Sequence, residues 1–294
     1  RAGRRLPVRA PGRAVSALDA RQRPALLREL AATHFDLLVV GGGITGAGIA
    51  RDAALRGLSV ALLEAEDFAA GTSNRSTKLI HGGLRYLAMG DFALVREAAL
   101  ERKAVHAMAP HLAEPRWMVL PARSRLEFAK YSVGVGLYEM LGAVAREDRS
   151  ASWDAATLAA REPHLDRTLF QRACVYREYL TDDARLVLAT LRAAAEAGAS
   201  LASRLRVDGL LHERDRVIGA RARCGLTDEA VEVRARSVVN AAGPWAEQVA
   251  ALEDRSGDEP RLHLSKGVHI VLPRERLPIE NLLYLPMPDG RAVF

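Results

Sequence analysis

The chain has 294 residues, 49% of them hydrophobic, enough for one large buried core or two modest ones in a globular, enzyme-sized protein. Its formal charge of +6 invites a polyanion partner, yet residues 1–29 hold eight Arg and no Lys against only Asp19 and Glu29, so this stretch carries the whole excess. The remainder is balanced, which argues against nucleic acid, and no uninterrupted apolar run reaches the about 18 residues expected of a membrane helix.

Residues 1–34 are rich in Arg, Ala, Pro and Gly and read as a basic, disordered tail with no chemistry of its own. A targeting sequence or contact with anionic lipid are the other readings of that stretch. The chain starts at Arg1 without Met and stops in the apolar, strand-like "GRAVF", which reads as a piece of a longer protein. Cys174 and Cys224 lie fifty positions apart with neither a CxxC nor a nearby His pair, so no zinc site or disulfide framework is expected and a reducing compartment fits.

From Phe35, "FDLLVVGGGITGAGIARDAALRGLSVALLEAED" reads strand, glycine turn, Ala-rich helix, strand. Gly41, Gly43 and Gly46 fill the G-x-G-x-x-G positions: the first allows a tight turn, the second admits a pyrophosphate against the backbone, the third lets helix pack on strand. Amides at the helix start then face the phosphates. Glu64, eighteen residues beyond Gly46 at the end of the second strand, is placed to bond both ribose hydroxyls of an adenosine. The bland alternative is a glycine-rich turn in an ordinary doubly wound sheet, with Glu64 a solvated strand end. FAD and NAD share this grip, and the motif alone does not separate them.

Next comes "GTSNRSTKLIHGGLRYL", residues 71–87. A solvated loop would accommodate its hydroxyls but would leave Leu79, Ile80, Leu84, Tyr86 and Leu87 in water, so the segment looks built around a bound, partly anionic object. Within 113–170, "RWMVLPA" is strand-like, 126–145 is an amphipathic helix broken by glycine, and "SWDAATLAAREPHL" is a capped helix ending before Pro163. The stretch 126–145 is assigned to core packing, with membrane contact as the second reading. A helix capped by Asp182 closes at Gly198 and leads to a strand ending near Val207; a surface hairpin or small meander follows over 208–235. "SVVN" then runs into Ala241, Ala242, Gly243 and Pro244, small residues suited to close backbone approach.

The 71–87 segment resembles the flavin-embracing segment of FAD-dependent glycerol-3-phosphate dehydrogenases, members of the amino-acid-oxidase-like flavoprotein superfamily. Further similar blocks follow in the same order: "APHL" at 109–112, "DDARLVLA" at 182–189, "VVNAAGPWA" at 238–246 and "KGVHIVLP" at 266–273. The resemblance covers about residues 35–294. It implies an α/β fold in which a discontinuous, Rossmann-like FAD-binding domain (35–112 and 171–255) is interrupted by an α+β substrate domain (113–170 and 256–294).

Residue by residue, the resemblance puts Gly41, Gly43 and Gly46 at the pyrophosphate and Glu64 at the ribose, with Thr72, Ser73, Ser76, Lys78 and Leu79 lining the cofactor. It sets His81 and Gly83 near the flavin ring, the Val207 backbone at adenine, and Ala242 and Gly243 along the phosphates. FAD is expected to be non-covalent, although His81 is where a covalent link would form; Lys78 as a surface cation and His81 as a core histidine are the plain alternatives. The implied reaction is oxidation of sn-glycerol 3-phosphate to dihydroxyacetone phosphate, with hydride to flavin N5 and electrons on to a quinone. Arg85 is expected at the substrate phosphate, His269 as the base, and Lys266 orienting a substrate oxygen or the flavin. A cytoplasmic enzyme with peripheral contact to the inner membrane face, and a homodimer, go with that family. The alternatives are a glycerol-3-phosphate oxidase, a related FAD amine or amino-acid oxidase, or an FAD-binding fragment without turnover. Arg85 favours a phosphate over an amine.

Overall fold

The computed structural model describes residues 19–81, 90–253, 262–287 and 292–293. Its elements run α1 (Arg23–Ala32), β1 (His34–Val40), α2 (Ile44–Leu55), β2 (Val60–Leu63), β3 (Leu79–Ile80), α3 (Phe92–Met108), β4 (Ala113–Ala122) and α4 (Arg125–Leu141). Then come β5 (Ala151–Trp153), α5 (Ala155–Arg161), β6 (Arg172–Thr181), α6 (Asp183–Glu196), β7 (Ser200–Ala202), β8 (Leu205–Glu213), β9 (Arg216–Cys224), β10 (Ala230–Asn240), α7 (Ala246–Ala250) and β11 (Leu282–Leu283). They form two units, one ending at Ser76 and resuming over Asp183–Lys266, the other taking Thr77–Asp182 and the chain from Gly267.

The first unit is built on a six-stranded sheet ordered β7-β2-β1-β10-β9-β8. β7, β2, β1 and β10 run parallel, which buries both faces and explains why "LLVV" and "VALL" are continuous apolar runs rather than alternating ones. Leu38, Ala61 and Leu63 face one side, against Leu26, Leu27 and Leu30 of α1. Val39, Val60 and Leu62 face the other, against the alanines of α2 and Val187, Leu191 and Ala194 of α6. Adjacent residues of one strand thus serve opposite layers, as the period of two requires.

Two expectations are corrected in this unit. The basic tail does not extend to residue 34: Arg23–Ala32 is a helix starting with Pro at its first turn, and its Leu26, Leu27 and Leu30 are buried. One apolar face in "RPALLRELAA" outweighs its charges; residues 1–18 lie outside the described residues. Val207 does not end a strand but sits inside β8, because the chain breaks at Arg204 (φ 52°) and restarts as the first strand of the β8-β9-β10 meander.

In the second unit β11, β4, β6 and β3 lie side by side, with β5 also on β6. α3 and α4 cover one face through Val95, Val135 and Tyr138 on Met118, Leu120, Cys174 and Tyr176. α5 covers the other through Leu158 on Val119, Trp153, Ala173 and Val175. Each helix starts on a side-chain cap: Asp91 accepts from Leu94 N–H, Ser124 from Glu127 N–H and Asp154 from Thr157 N–H. The return of the chain is fixed by buried Glu162, whose Oε1 accepts Asn281 N–H at 2.8 Å and Asn281 Nδ2 at 2.7 Å. Both cysteines are free and buried.

The unit boundaries therefore differ from those expected at 112/113, 170/171 and 255/256; they fall at 76/77, 182/183 and 266/267. The cause is β6, which pairs antiparallel with β4 along its full length, from Ala113↔Thr181 to Ala122↔Arg172, and draws β3 and α3 into the same unit. The amphipathic helix α4 packs inward through Val135 and Tyr138, yet Leu126, Val133 and Met140, seven apart, are 75%, 72% and 69% exposed. Among the described residues no helix is long and apolar enough to cross a membrane.

A charge pair sits under this second sheet. Arg102 of α3 (3% exposed) donates to Glu178 Oε2 of β6 (0% exposed) at 2.6 Å and to Tyr138 Oη at 2.5 Å, and its guanidinium lies 5.2 Å from the Tyr179 ring centre. Burial works against the charge on Arg102, and Glu178 more than offsets it, so the guanidinium pKa is raised. Breaking such a pair from one side strands a charge. Glu178→Gln is expected to destabilise the protein by about 3–5 kcal/mol in urea unfolding, while joint replacement by Arg102→Met and Glu178→Leu recovers most of that loss. A loss under about 1 kcal/mol for Glu178→Gln would contradict this role for the pair.

Candidate cofactor-binding site

β1 ends at Val40, and α2 begins at Ile44 directly above it. The turn between them works only with glycine at particular places. Gly41 has φ 114°, a left-handed value, and a Cβ there would stand 2.4 Å from the Ala241 carbonyl oxygen. Its N–H donates to Leu63 O at 2.8 Å while Ala241 N–H donates to Val40 O at 2.8 Å, joining β2, β1 and the end of β10 at one edge. At Gly46 a Cβ would stand 1.9 Å from Gly41 O, so the first turn of α2 rests on that peptide.

Gly43 is different. It is the N-cap of α2 with an ordinary φ of −79°, and among the described residues the one neighbour its Cβ would meet within 4 Å is Ser73 Oγ at 3.1 Å. Backbone strain does not demand glycine there, and a Cβ would crowd the Ser73 hydroxyl and otherwise meet none of the described atoms, so the space beside it fits a ligand approaching the helix N-terminus. Ser73 Oγ accepts the Ile44 N–H at 2.9 Å, and Thr72 stands exposed in the same 3₁₀ turn, Thr72–Asn74. Glu64 follows β2 directly, with Oε2 accepting Gly42 N–H and Oε1 accepting Glu66 N–H, both at 2.7 Å. Each carboxylate oxygen keeps a further lone pair to offer.

The opposite wall comes from the exit of β10. Ala242 N–H donates to Asn240 Oδ1 at 3.2 Å, and Gly243 (φ 55°) opens the turn Gly243–Trp245. Gly41, Gly43, Gly46, Glu64, Thr72, Ser73, Ala242 and Gly243 thus share one edge of the first sheet. Val207 lies along β8, two residues past Leu205, whose N–H donates to Glu64 O at 2.8 Å. A helix start with a hydroxyl above it is a donor set that suits a dinucleotide diphosphate, and the oriented carboxylate beside it is an acceptor that suits ribose hydroxyls.

Ser76 is engaged elsewhere: its Oγ donates to Asp183 Oδ2 at 2.7 Å. Lys78, Leu79 and His81 belong to the second unit. Lys78 adopts φ 61° and its carbonyl accepts Thr181 N–H at 2.8 Å; Leu79 pairs with Leu180 and packs on the core beside Val95; His81 is exposed. Gly83 and Arg85 lie outside the described residues. Lys266 and His269 sit exposed on a stretch without regular secondary structure, where Val271 is 93% exposed and no strand partner is found among the described residues. Among the described residues no group of three or more His, Cys, Asp or Glu could hold a metal.

Three residues escaped sequence reasoning. Gly42 is a variable position in the motif, yet a Cβ there would stand 2.8 Å from both Glu64 Cβ and Phe68 Cδ1; the run of three glycines was its signal. Trp245 closes on Gly71, whose Cβ would meet its ring at 2.8 Å, and nothing local announces that contact. Asp183 lay in the noted "DDARLVLA" block without a role.

Over residues 36–294 the chain matches the FAD dependent oxidoreductase family. The aerobic glycerol-3-phosphate dehydrogenase of Bacillus subtilis (strain 168) is 38% identical over 275 residues, 93% of this chain and 49% of the relative. That of Staphylococcus aureus (strain USA300) is 39% identical over 286 residues, 95% of this chain and 50% of the relative. A solved glycerol-3-phosphate dehydrogenase from Bacillus halodurans, complexed with FAD, superimposes with a TM-score of 0.70 at 31% identity, covering 94% of this chain and 47% of that one. The FAD-bound L-alpha-glycerophosphate oxidase from Mycoplasma pneumoniae shares the fold at a TM-score of 0.59 and 16% identity, covering 89% of this chain and 72% of that one. The chain spans about half the length of the curated relatives it matches.

The different demands at Gly46 and Gly43 can be measured directly. Gly46→Ala forces α2 off the Gly41 carbonyl and is expected to cost about 1–3 kcal/mol in thermal unfolding, whereas Gly43→Ala should stay within about 1 kcal/mol of the parent. Equal losses at both positions would contradict the assignment of one to packing and the other to a ligand.

Proposed function

We propose, because this chain belongs to the FAD dependent oxidoreductase family, that it supplies the non-covalent FAD grip of an enzyme oxidising sn-glycerol 3-phosphate to dihydroxyacetone phosphate. The carrying observation is Gly43 at the start of α2, with an unstrained backbone and, among the described residues, the Ser73 hydroxyl as the one group that a Cβ would crowd. In this reading Gly41, Gly43, Gly46, Ala242 and Gly243 bring backbone to the diphosphate, Thr72 and Ser73 bring hydroxyls, and Glu64 holds the adenosine ribose. Val207 lends its backbone toward adenine, and Ser76, Lys78, Leu79, His81 and Gly83 belong to the stretch toward the flavin ring. FAD, when bound, supplies the two-electron acceptor.

The names of the relatives support the substrate, and the residue types supply its chemistry. Arg85 grips the substrate phosphate by charge and by the planar fork of its guanidinium. His269 accepts the C2 hydroxyl proton on an imidazole nitrogen as the C2–H bond gives up its electron pair, leaving the ketone; Lys266 orients a substrate oxygen. A quinone takes the electrons onward, and a membrane-surface position for that exchange is supported by the outward apolar stripe Leu126, Val133 and Met140 on α4.

Purified protein is expected to be yellow and to bleach anaerobically with glycerol 3-phosphate but not with glycerol, while Gly43→Val should emerge colourless. A fully loaded Gly43→Val protein would sink the diphosphate assignment, and equal bleaching by both alcohols would sink the substrate.

The base and the phosphate anchor separate kinetically. His269→Asn is expected to slow flavin reduction at saturating substrate about 10²-fold or more, with the loss shrinking as pH rises and solvent base substitutes. Arg85→Lys is expected to weaken substrate binding about tenfold with FAD retained, because the bidentate contact is lost. Stopped-flow traces across concentration and pH decide: an unchanged limiting rate removes His269 as the base, and unchanged affinity removes Arg85 as the anchor.

A further inference from the structure

We infer that Asp183 is a positioning residue for the 71–81 segment, acting through Ser76. Asp183 is 9% exposed, and its carboxylate accepts from Ser76 Oγ at 2.7 Å, Ser76 N–H at 3.4 Å and Ala184 N–H at 2.8 Å. It opens α6, where the helix N-terminus favours a negative charge. The helix is itself immobilised, since Val187, Leu191 and Ala194 are fully buried in the core shared with α2, β2 and β7. Asp183 is therefore a rigid post, and Ser76 is hung on it.

The placement of the bond in the chain gives it consequence. Ser76 is the last residue of the first unit before the chain leaves, and Asp183 is the first after it returns. In the second unit the same two stretches run side by side, with Lys78 O accepting Thr181 N–H at 2.8 Å and Leu79 and Ile80 pairing with Leu180 and Tyr179. Extending that antiparallel register backwards by three residues pairs Ser76 with Asp183, so the bond is a further rung on the same run. The segment is thereby held at two points within the first unit: Ser73 on the Ile44 N–H of α2, and Ser76 on α6. With both held, Thr72 and Ser73 keep their place at the α2 start, and β3 begins in a set register.

The tether stands on these contacts alone; its bearing on FAD rests on the proposed function. Hydrogen exchange on cofactor-free protein tests the first, and FAD affinity, measured by quenching of flavin fluorescence, tests the second. Ser76→Ala and Asp183→Ala are each expected to speed exchange of amides 72–80 about tenfold, leaving β1 and α2 unchanged, and Ser76→Thr, which keeps the hydroxyl, should restore protection. Each loss should also weaken FAD about tenfold, and the double variant should be no weaker than either single one, because the same side-chain bond is absent in all three. Should Asp183→Ala fail to fold, half-buried Ser76 still carries both tests. Unchanged exchange at 72–80 in Ser76→Ala overturns the tether, and unchanged FAD affinity in Ser76→Ala overturns its positioning role. Faster exchange in variants of a wild-type protein that takes up no FAD would support the tether and reject the functional reading.

Discussion

The close approach of α2 to the turn after β1 is the constraint on which the site depends. A Cβ at Gly46 would stand 1.9 Å from Gly41 O, so helix and strand meet with no side chain between them. That contact aims the helix N-terminus at the sheet edge where Gly41 lies against Ala241 and where Glu64 follows β2. The alanines at 47, 50, 53 and 54 continue the same economy of volume along α2, letting it lie close on Val39, Val60 and Leu62. Any residue larger than glycine at position 46 would lift the helix and move its amides away from the place where a diphosphate could be met.

Much of this was legible because it is local. Gly-x-Gly-x-x-Gly between two apolar runs fixes a strand, a turn and a helix within a single stretch, and Glu64 follows at a distance set by one helix and one strand. The less legible features depend on partners distant in sequence. β6 could have returned to the nucleotide sheet, and only its ten-residue ladder with β4 assigns it to the second unit. α1 was hidden by its arginines, although its three leucines share one face. "KGVHIVLP" has the composition of a strand, but composition does not provide a neighbouring edge, and the residues stand exposed without regular secondary structure. Asp183 and Trp245 act across more than a hundred residues of sequence, on Ser76 and on Gly71, which no local pattern could announce.

The two units differ in the groups they present. The first presents backbone amides, small residues and one carboxylate at a parallel sheet edge, a surface suited to a nucleotide and poor in groups that could move a proton. The second encloses a buried ion pair, Arg102 with Glu178, beneath a sheet of large side chains, and carries the histidine proposed as base on its exposed return segment. The 71–81 segment belongs to both, with its hydroxyl-bearing part in the first and Lys78, Leu79 and His81 in the second. Ser73 and Ser76 anchor it within the first unit, on the Ile44 N–H and on Asp183, before it pairs with β6 in the second.

The central claim is that the α2 start, Glu64 and the 71–76 segment together read the adenosine-diphosphate half of FAD. Competition binding on cofactor-free protein tests this most directly, with FAD displaced by either ADP or FMN. The account predicts that ADP competes and FMN does not, because FMN lacks the adenosine and the second phosphate that these residues are arranged to meet. Displacement by FMN with no effect of ADP would contradict it, and would place the affinity in contacts to the flavin ring instead.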